Sequence, residues 1–179
     1  HEDEEPPMKL DRYTQKAQEA ILGGQQLATS QQSPVLDVEH LLAALLDDPE
    51  GIPVMTLRQL GADPAAVAME VAAVLSRRAK IEGGQLGLDP RVTKLITAAE
   101  NEATGLGDEY VSTEHLLLAL LESKTPASEA LKHAGVTRDR LLQVLKEIRG
   151  NQTVDDPNAE DRFQALERYG RDLTEQARK

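Results

Sequence analysis

A chain of 179 residues that is 40% hydrophobic can bury one core, and with aromatics at 2% that core is built from Leu, Ile, Val and Ala, which suits packed helices. A net charge of −11 argues against a nucleic-acid backbone as the main partner, because such binding needs clustered Lys and Arg. With no cysteine there is no disulfide scaffold, thiolate zinc site or thiol nucleophile. No run approaches the roughly 18 apolar residues that cross a bilayer, so the expectation is a cytoplasmic protein without a membrane partner.

The opening His1-Glu2-Asp3-Glu4-Glu5 is unlike a signal peptide, and Pro6-Pro7 breaks the chain before Met8, so residues 1–7 read as an extension. A first helix starts at Thr14, whose hydroxyl can cap free amides, with Ala17, Ala20, Ile21 and Leu27 as its apolar stripe. Gly23-Gly24 costs that helix about 1 kcal/mol per glycine relative to alanine, which predicts a kink or a tight contact. Asp37 caps a second helix that runs to Leu46 and stops at Asp48-Pro49-Glu50-Gly51. Pro53 restarts a short third helix, which Gly61 closes. Asp63-Pro64 opens a fourth, burying Val67, Val71, Val74 and Leu75; its basic end, Arg77, Arg78 and Lys80, is expected to be solvated.

Gly83-Gly84-Gln85-Leu86-Gly87 reads as a flexible link, without the Lys and Ser or Thr of a phosphate loop. Asp89-Pro90 opens a fifth helix through Val92, Leu95, Ile96, Ala99 and Ala103, ended by Gly105 and Gly107. Ser112 caps a sixth, Thr125-Pro126 begins a seventh closed by Gly135, and an eighth carries Leu141, Leu142, Leu145 and Ile148. Asn151 to Asn158 reads as a polar linker leading out of the globule. Ala159 to Lys179 follows as one charged helix with a thin stripe through Phe163, Leu166 and Leu173.

Two stretches of this series are copies. Val38-Glu39-His40-Leu41-Leu42-Ala43-Ala44-Leu45-Leu46 and Thr113-Glu114-His115-Leu116-Leu117-Leu118-Ala119-Leu120-Leu121 agree at seven of nine positions, and their histidines lie 75 residues apart. Upstream, Thr14, Ala17 and Ile21 fall on Asp89, Val92 and Ile96 at the same offset; downstream, Gly61 falls on Gly135 at an offset of 74. Such a period is longer than the roughly 20 to 50 residues of a solenoid unit. The expectation is an all-α, pseudo-two-fold bundle of two four-helix repeats, residues 8–82 and 83–150, within one globular domain, followed by a linker and helix at 151–179.

The chemistry-bearing residues sit at the repeated helix starts. His40 and His115 have no Cys and no local ligand pair at metal spacing, so they are expected to pack and to hydrogen-bond the neighbouring half. Glu39 and Glu114, with Asp108 nearby, lack the nucleophile, strand-end pocket or cofactor loop of a catalytic set; their plain role is dipole-stabilised surface charge, and their functional role is ligand contact. The leucine stripes are core, but a seam between two such halves can leave an apolar groove rimmed by charge that accepts peptide segments.

The doubled Glu-His-Leu-Leu phrase, the Leu57-Arg58-Gln59-Leu60-Gly61 and Leu131-Lys132-His133-Ala134-Gly135 turns, and Leu10-Asp11-Arg12-Tyr13-Thr14-Gln15-Lys16-Ala17 resemble the Clp N-terminal domain of AAA+ unfoldases. Glu160-Asp161-Arg162-Phe163-Gln164-Ala165-Leu166 is similar to the segment that leads into the first ATPase domain of the ClpB-type disaggregase branch. The resemblance implies a substrate-recognition domain, monomeric as a fragment, of a hexameric machine whose ATP and Mg bind elsewhere, so that this stretch is no enzyme and holds no cofactor or metal. It implies unfolded or aggregated polypeptides as partners, with a co-chaperone or adaptor as a further one. By position, Thr14, Asp108 and Glu114 match family residues that engage substrate, and Ala98, Glu102 and His115 match its apolar groove, two of them polar here. The alternative is a protease-partner branch that docks adaptors or reads phosphoarginine with Glu39 and Glu114, although Asp89 stands where that branch has a hydroxyl.

Overall fold

The computed structural model describes residues 10–178, with side chains as far as Gly170; the extension at 1–7 and the stripe position Leu173 lie outside those described residues or side chains. Helices α1 (Gln15–Ser30), α2 (Val38–Leu46), α3 (Ile52–Leu60) and α4 (Pro64–Ser76) form the first repeat. The second holds α5 (Pro90–Gly105), α6 (Thr113–Leu121), α7 (Pro126–His133) and α8 (Arg138–Arg149), and α9 (Ala159–Arg178) follows. Among the described residues the fold is all-α apart from β1 (Val35–Leu36) and β2 (Gly87–Leu88).

Local chemistry sets the helix ends. The Thr14 hydroxyl accepts the Ala17 N–H at 3.1 Å, and Asp89 Oδ1 accepts the Arg91 N–H at 2.9 Å. Gly61 and Gly135 close α3 and α7 at φ 87° and 89°, a left-handed conformation that costs glycine nothing. The repeated histidines complete capping boxes: His40 Nδ1 accepts the Asp37 N–H at 3.0 Å and His115 Nδ1 accepts the Ser112 N–H at 2.8 Å. Both bonds stay inside their own half, which corrects the expectation of a bond to the other; a histidine at the third helical position reaches back to its own cap more readily than across a seam.

The halves interlock. Tyr13, ahead of α1, bridges Val111, ahead of α6, while Leu88, ahead of α5, pairs with Leu36, ahead of α2. Leu88 and Val111 each lie 75 residues beyond Tyr13 and Leu36, so the two bridges are one contact repeated by the pseudo-two-fold. The Thr14 N–H donates to Val111 O at 2.9 Å, and its counterpart Asp89 N–H donates to Leu36 O at 3.0 Å. The supposed flexible link is therefore pinned at its end, because each half needs the other's opening residues. Packing crosses over again where α3 meets α8 and α4 meets α7. Leu41, Leu42, Leu57, Leu116, Leu117 and Leu120 fill the common core.

The two glycines of α1 resolve as a tight contact; the helix runs unbroken from Gln15 to Ser30. A Cβ on Gly24 would lie 2.9 Å from Leu41 Cδ2 and 3.4 Å from the His40 carbonyl oxygen, whereas one on Gly23 would meet only Ala44 Cβ at 3.4 Å. Gly23→Ala is therefore expected to be neutral or to stabilise by up to about 1 kcal/mol. Gly24→Val is expected to cost about 1–3 kcal/mol through overpacking. Urea denaturation of both variants checks the contrast.

Residues 151–158 do not leave the globule. Val154 is buried; its N–H donates to Asp108 Oδ1 at 2.8 Å and its carbonyl accepts the Glu109 N–H at 2.9 Å. The Gln15 N–H then donates to Pro157 O at 2.7 Å. One apolar residue and three backbone bonding groups suffice to lay a polar stretch along the second repeat and return α9 to the body, where it packs on α3 and α8.

Candidate functional site: two buried charge clusters and an apolar groove

In the second repeat the capping box orients His115 so that Nδ1 is an acceptor and Nε2 carries the proton, which points at Asp108 Oδ2 at 2.7 Å. Arg149, the last residue of α8, reaches the same Asp108 oxygen at 2.8 Å through Nη1 and Glu114 Oε2 at 3.2 Å through Nε. Asp108, Glu114, His115 and Arg149 are all buried. Burial alone would raise the Asp108 pKa; bonds from His115 and the Val154 N–H, with the Arg149 charge, outweigh it and hold the carboxyl below its ordinary range.

Onto this cluster comes Glu160, in the first turn of α9, only 1% exposed. Its carboxyl accepts the Thr14 hydroxyl and, at 3.4 Å, the Thr113 hydroxyl. One turn on, Phe163 is fully buried with the Arg149 guanidinium carbon 5.4 Å from its ring centroid, a cation–π contact. Thr14, Asp108, Glu114 and His115 thus come together, but beneath α9 rather than in an open cleft. The surface-charge reading of Glu114 is corrected: it is fully buried, and its Oε1 makes no hydrogen bond.

The first repeat gathers a different set at the equivalent place. Asp37 Oδ2 takes both Arg78, from beyond α4, and Arg91, from α5. Arg78 Nη2 also lies 2.8 Å from Glu39 Oε1, but without hydrogen-bond direction, so the fully buried Glu39 is held by charge alone. Burial, then the charge of Asp37, push the Glu39 pKa up. The basic end of α4 is not simply solvated, because Arg78 turns inward to these carboxylates. Glu39 stands apart from Glu114, and neither is a surface charge.

The open surface lies between α1, α2 and α4. A groove of about 500 Å³ is floored by Ala20, Gly23, Leu27, Ala43 and Ala44, walled by Ala68, Ala72 and Leu75, and ended by Thr113, Glu160 and Gln164. Lys16, Glu19, Asp47 and Asp48 give it a mostly acidic rim. Small side chains make the space: at the matching positions of the second repeat stand Ala98, Glu102 and Leu118 on α5 and α6, and Leu142, Lys146 and Arg149 on α8. There, Ala98 is half-buried and Glu102 is gripped by both guanidinium nitrogens of Arg138 at 2.9 Å, so the expected apolar groove at Ala98, Glu102 and His115 is bridged by charge. The offset that aligns the repeats also marks the open groove in the first one, through the glycine and alanines of α1, α2 and α4. Arg149, Glu160 and Phe163 escape sequence reasoning; the only local signal is a carboxylate and an aromatic three residues apart at the start of a helix.

A family model described as the Clp repeat N-terminal domain matches residues 12–134. The chaperone protein ClpB of Bacillus cereus is 36% identical over 176 residues, covering 96% of this chain and 20% of its own length, so the chain spans about a fifth of the curated relatives it matches. The Hsp104 N-terminal domain from Candida albicans superposes with a TM-score of 0.74 at 23% identity, covering 84% of this chain and 99% of that one. A ClpV N-domain solved in complex with a VipB peptide superposes with a TM-score of 0.62 at 18% identity, covering 82% and 94%. These two structures establish the shared fold. With the family match covering well over half of the residues and both repeats in place, the chain belongs to the Clp N-terminal domain family.

Proposed function

We propose that this is the N-terminal substrate-recognition domain of an ATP-dependent, hexameric disaggregase, and that it captures exposed segments of misfolded or aggregated polypeptides. The reading rests on the first-repeat groove: an apolar floor of small side chains, open to solvent, offers purchase to an exposed hydrophobic segment without demanding one sequence. The likeness to ClpB chaperones supports the same role. ATP, Mg and the hydrolytic work belong in this proposal to parts of the longer protein, acting in the cytoplasm.

Ala20→Glu with Ala72→Glu places one charge on the floor and one on the wall of the groove, at a half-buried and an exposed helix position. The double variant is expected to weaken binding of a fluorescently labelled unfolded polypeptide at least about tenfold, or about 1.4 kcal/mol, with an unchanged melting temperature. Unaltered binding in fluorescence anisotropy refutes the assignment.

Adaptor docking is the second reading, favoured by the likeness to a ClpV N-domain solved with a peptide. Phosphoarginine reading is disfavoured, because Glu39 and Glu114 are both buried and each already faces an arginine of the chain itself.

A further inference from the structure

Building on the polypeptide-recognition reading, we propose that the second-repeat cluster is a receptor for a helix start bearing a carboxylic acid and, three residues on, an aromatic ring. The chain's own α9 fills that receptor in cis and has to leave before an outside segment can enter.

α9 is held at one end. Ala159, Glu160 and Phe163 are buried, whereas Leu166 and Tyr169 are 43% and 64% exposed. Further along, Gln164 Nε2 donates to Glu50 O at 2.9 Å, Gln59 bonds Glu167 at 2.9 Å and Arg168 lies 3.7 Å from Glu50, all at exposed groups where such bonds contribute little. A helix whose buried side chains are Ala159, Glu160 and Phe163, with Leu166 and Tyr169 at the surface, is bound as a ligand is bound. The receptor side is complementary: two hydroxyls, Thr14 and Thr113, meet the acid, and the face of Arg149 meets the ring.

The pocket is incomplete without this guest. Removing Glu160 and Phe163 would bare the Thr14 hydroxyl, the Arg149 face and a buried carboxylate, Glu114, one of whose oxygens makes no hydrogen bond even now. Nor does the fold require an inserted helix, since the equivalent cluster of the first repeat is covered by the partly exposed side chains of Arg78 and Arg91. A segment that occupies one of two equivalent sites, through a carboxyl and a ring, acts as a built-in competitor.

The probe is a fluorescent peptide with the sequence of residues 155–170, beside a second peptide with alanine at the Glu160 and Phe163 positions. The whole chain, which has no cysteine of its own, carries Gln59→Cys and Glu167→Cys joined by a disulfide-containing bismaleimide, so that α9 is tethered until reductant cuts the linker. The tethered chain is expected to bind the native peptide at least tenfold more weakly than the cut chain, and the alanine peptide is expected to bind neither. Phe163→Ala in the untethered chain is expected to tighten peptide binding at least tenfold by emptying the site. Equal binding by tethered and cut chains, or equal binding of the two peptides, overturns the proposal. Loss of unfolded-polypeptide binding in the Ala20→Glu and Ala72→Glu pair reports on the groove, whereas the difference between tethered and cut chains reports on α9, so failure of groove capture and failure of α9 competition are read separately.

Discussion

Arg149→Met is expected to lower stability by about 3–5 kcal/mol, the range for breaking a buried ion pair from one side. Arg149 is buried and is the cation shared by Asp108 and Glu114, which are themselves buried. Methionine keeps much of the stem's volume, so the loss measures two carboxylates left without their charge partner rather than a cavity. At roughly 2–4 °C per kcal/mol for a chain of this size, the melting temperature falls by about 6–20 °C. Arg78→Met in the first repeat is expected to cost less, because Arg78 is partly exposed, Arg91 remains on Asp37, and Glu39, whose pKa burial already raises, can take up a proton. Equal losses in urea and thermal denaturation would contradict the assignment of the second cluster as the buried electrostatic centre.

The second large effect is a dependence on pH carried by Glu160. Burial, then the charge of Glu114, push its pKa up from 4.5 to about 8, while the hydroxyls of Thr14 and Thr113 pull the other way. The cation of the adjoining cluster, Arg149, is already engaged with Asp108 and Glu114. The folded chain holds the Glu160 proton across a range in which the unfolded chain has released it. The stabilisation is therefore full below about pH 4.5 and is lost as pH rises toward about 8. At about 1.4 kcal/mol per pKa unit, the loss across that window amounts to several kcal/mol. Glu160→Gln, a neutral near-isostere, is expected to flatten this part of the profile. Buried Glu39 contributes with the same sign, so the quantity to compare is the difference between native and Glu160→Gln chains in urea titrations from pH 5 to 8.5. Parallel profiles would show that Glu160 ionises without consequence.

The architecture was legible where its causes are local. Thr14, Asp37, Asp63, Asp89, Ser112 and Thr125 announce helix starts because a cap acts over three residues, and Gly61 and Gly135 announce ends because only glycine sits without strain at those φ values. The repeat was legible because identity at a fixed offset needs no structural knowledge. The charge clusters were not. Arg149 meets Glu114 across 35 residues and Thr14 meets Glu160 across 146, and no periodicity registers such pairs. An exposed-looking glutamate in a helix's first turn has the same local signature whether solvent or an arginine faces it, which is why Glu39 and Glu114 read as surface charge. The residues 151–158 misled for a related reason: their polar composition is satisfied by backbone bonds to Asp108, Glu109 and Gln15, and only Val154 hints that they stay.

The reciprocal bridges at Tyr13–Val111 and Leu36–Leu88 bear on how the molecule melts. Neither copy closes its own opening, so half of the sequence expressed alone would face water with an unpaired edge and the bare flanks of its third and fourth helices. A single copy could satisfy those bonds only as a symmetric pair of identical chains. Because each repeat depends on the other, the two are expected to unravel as one event rather than in succession.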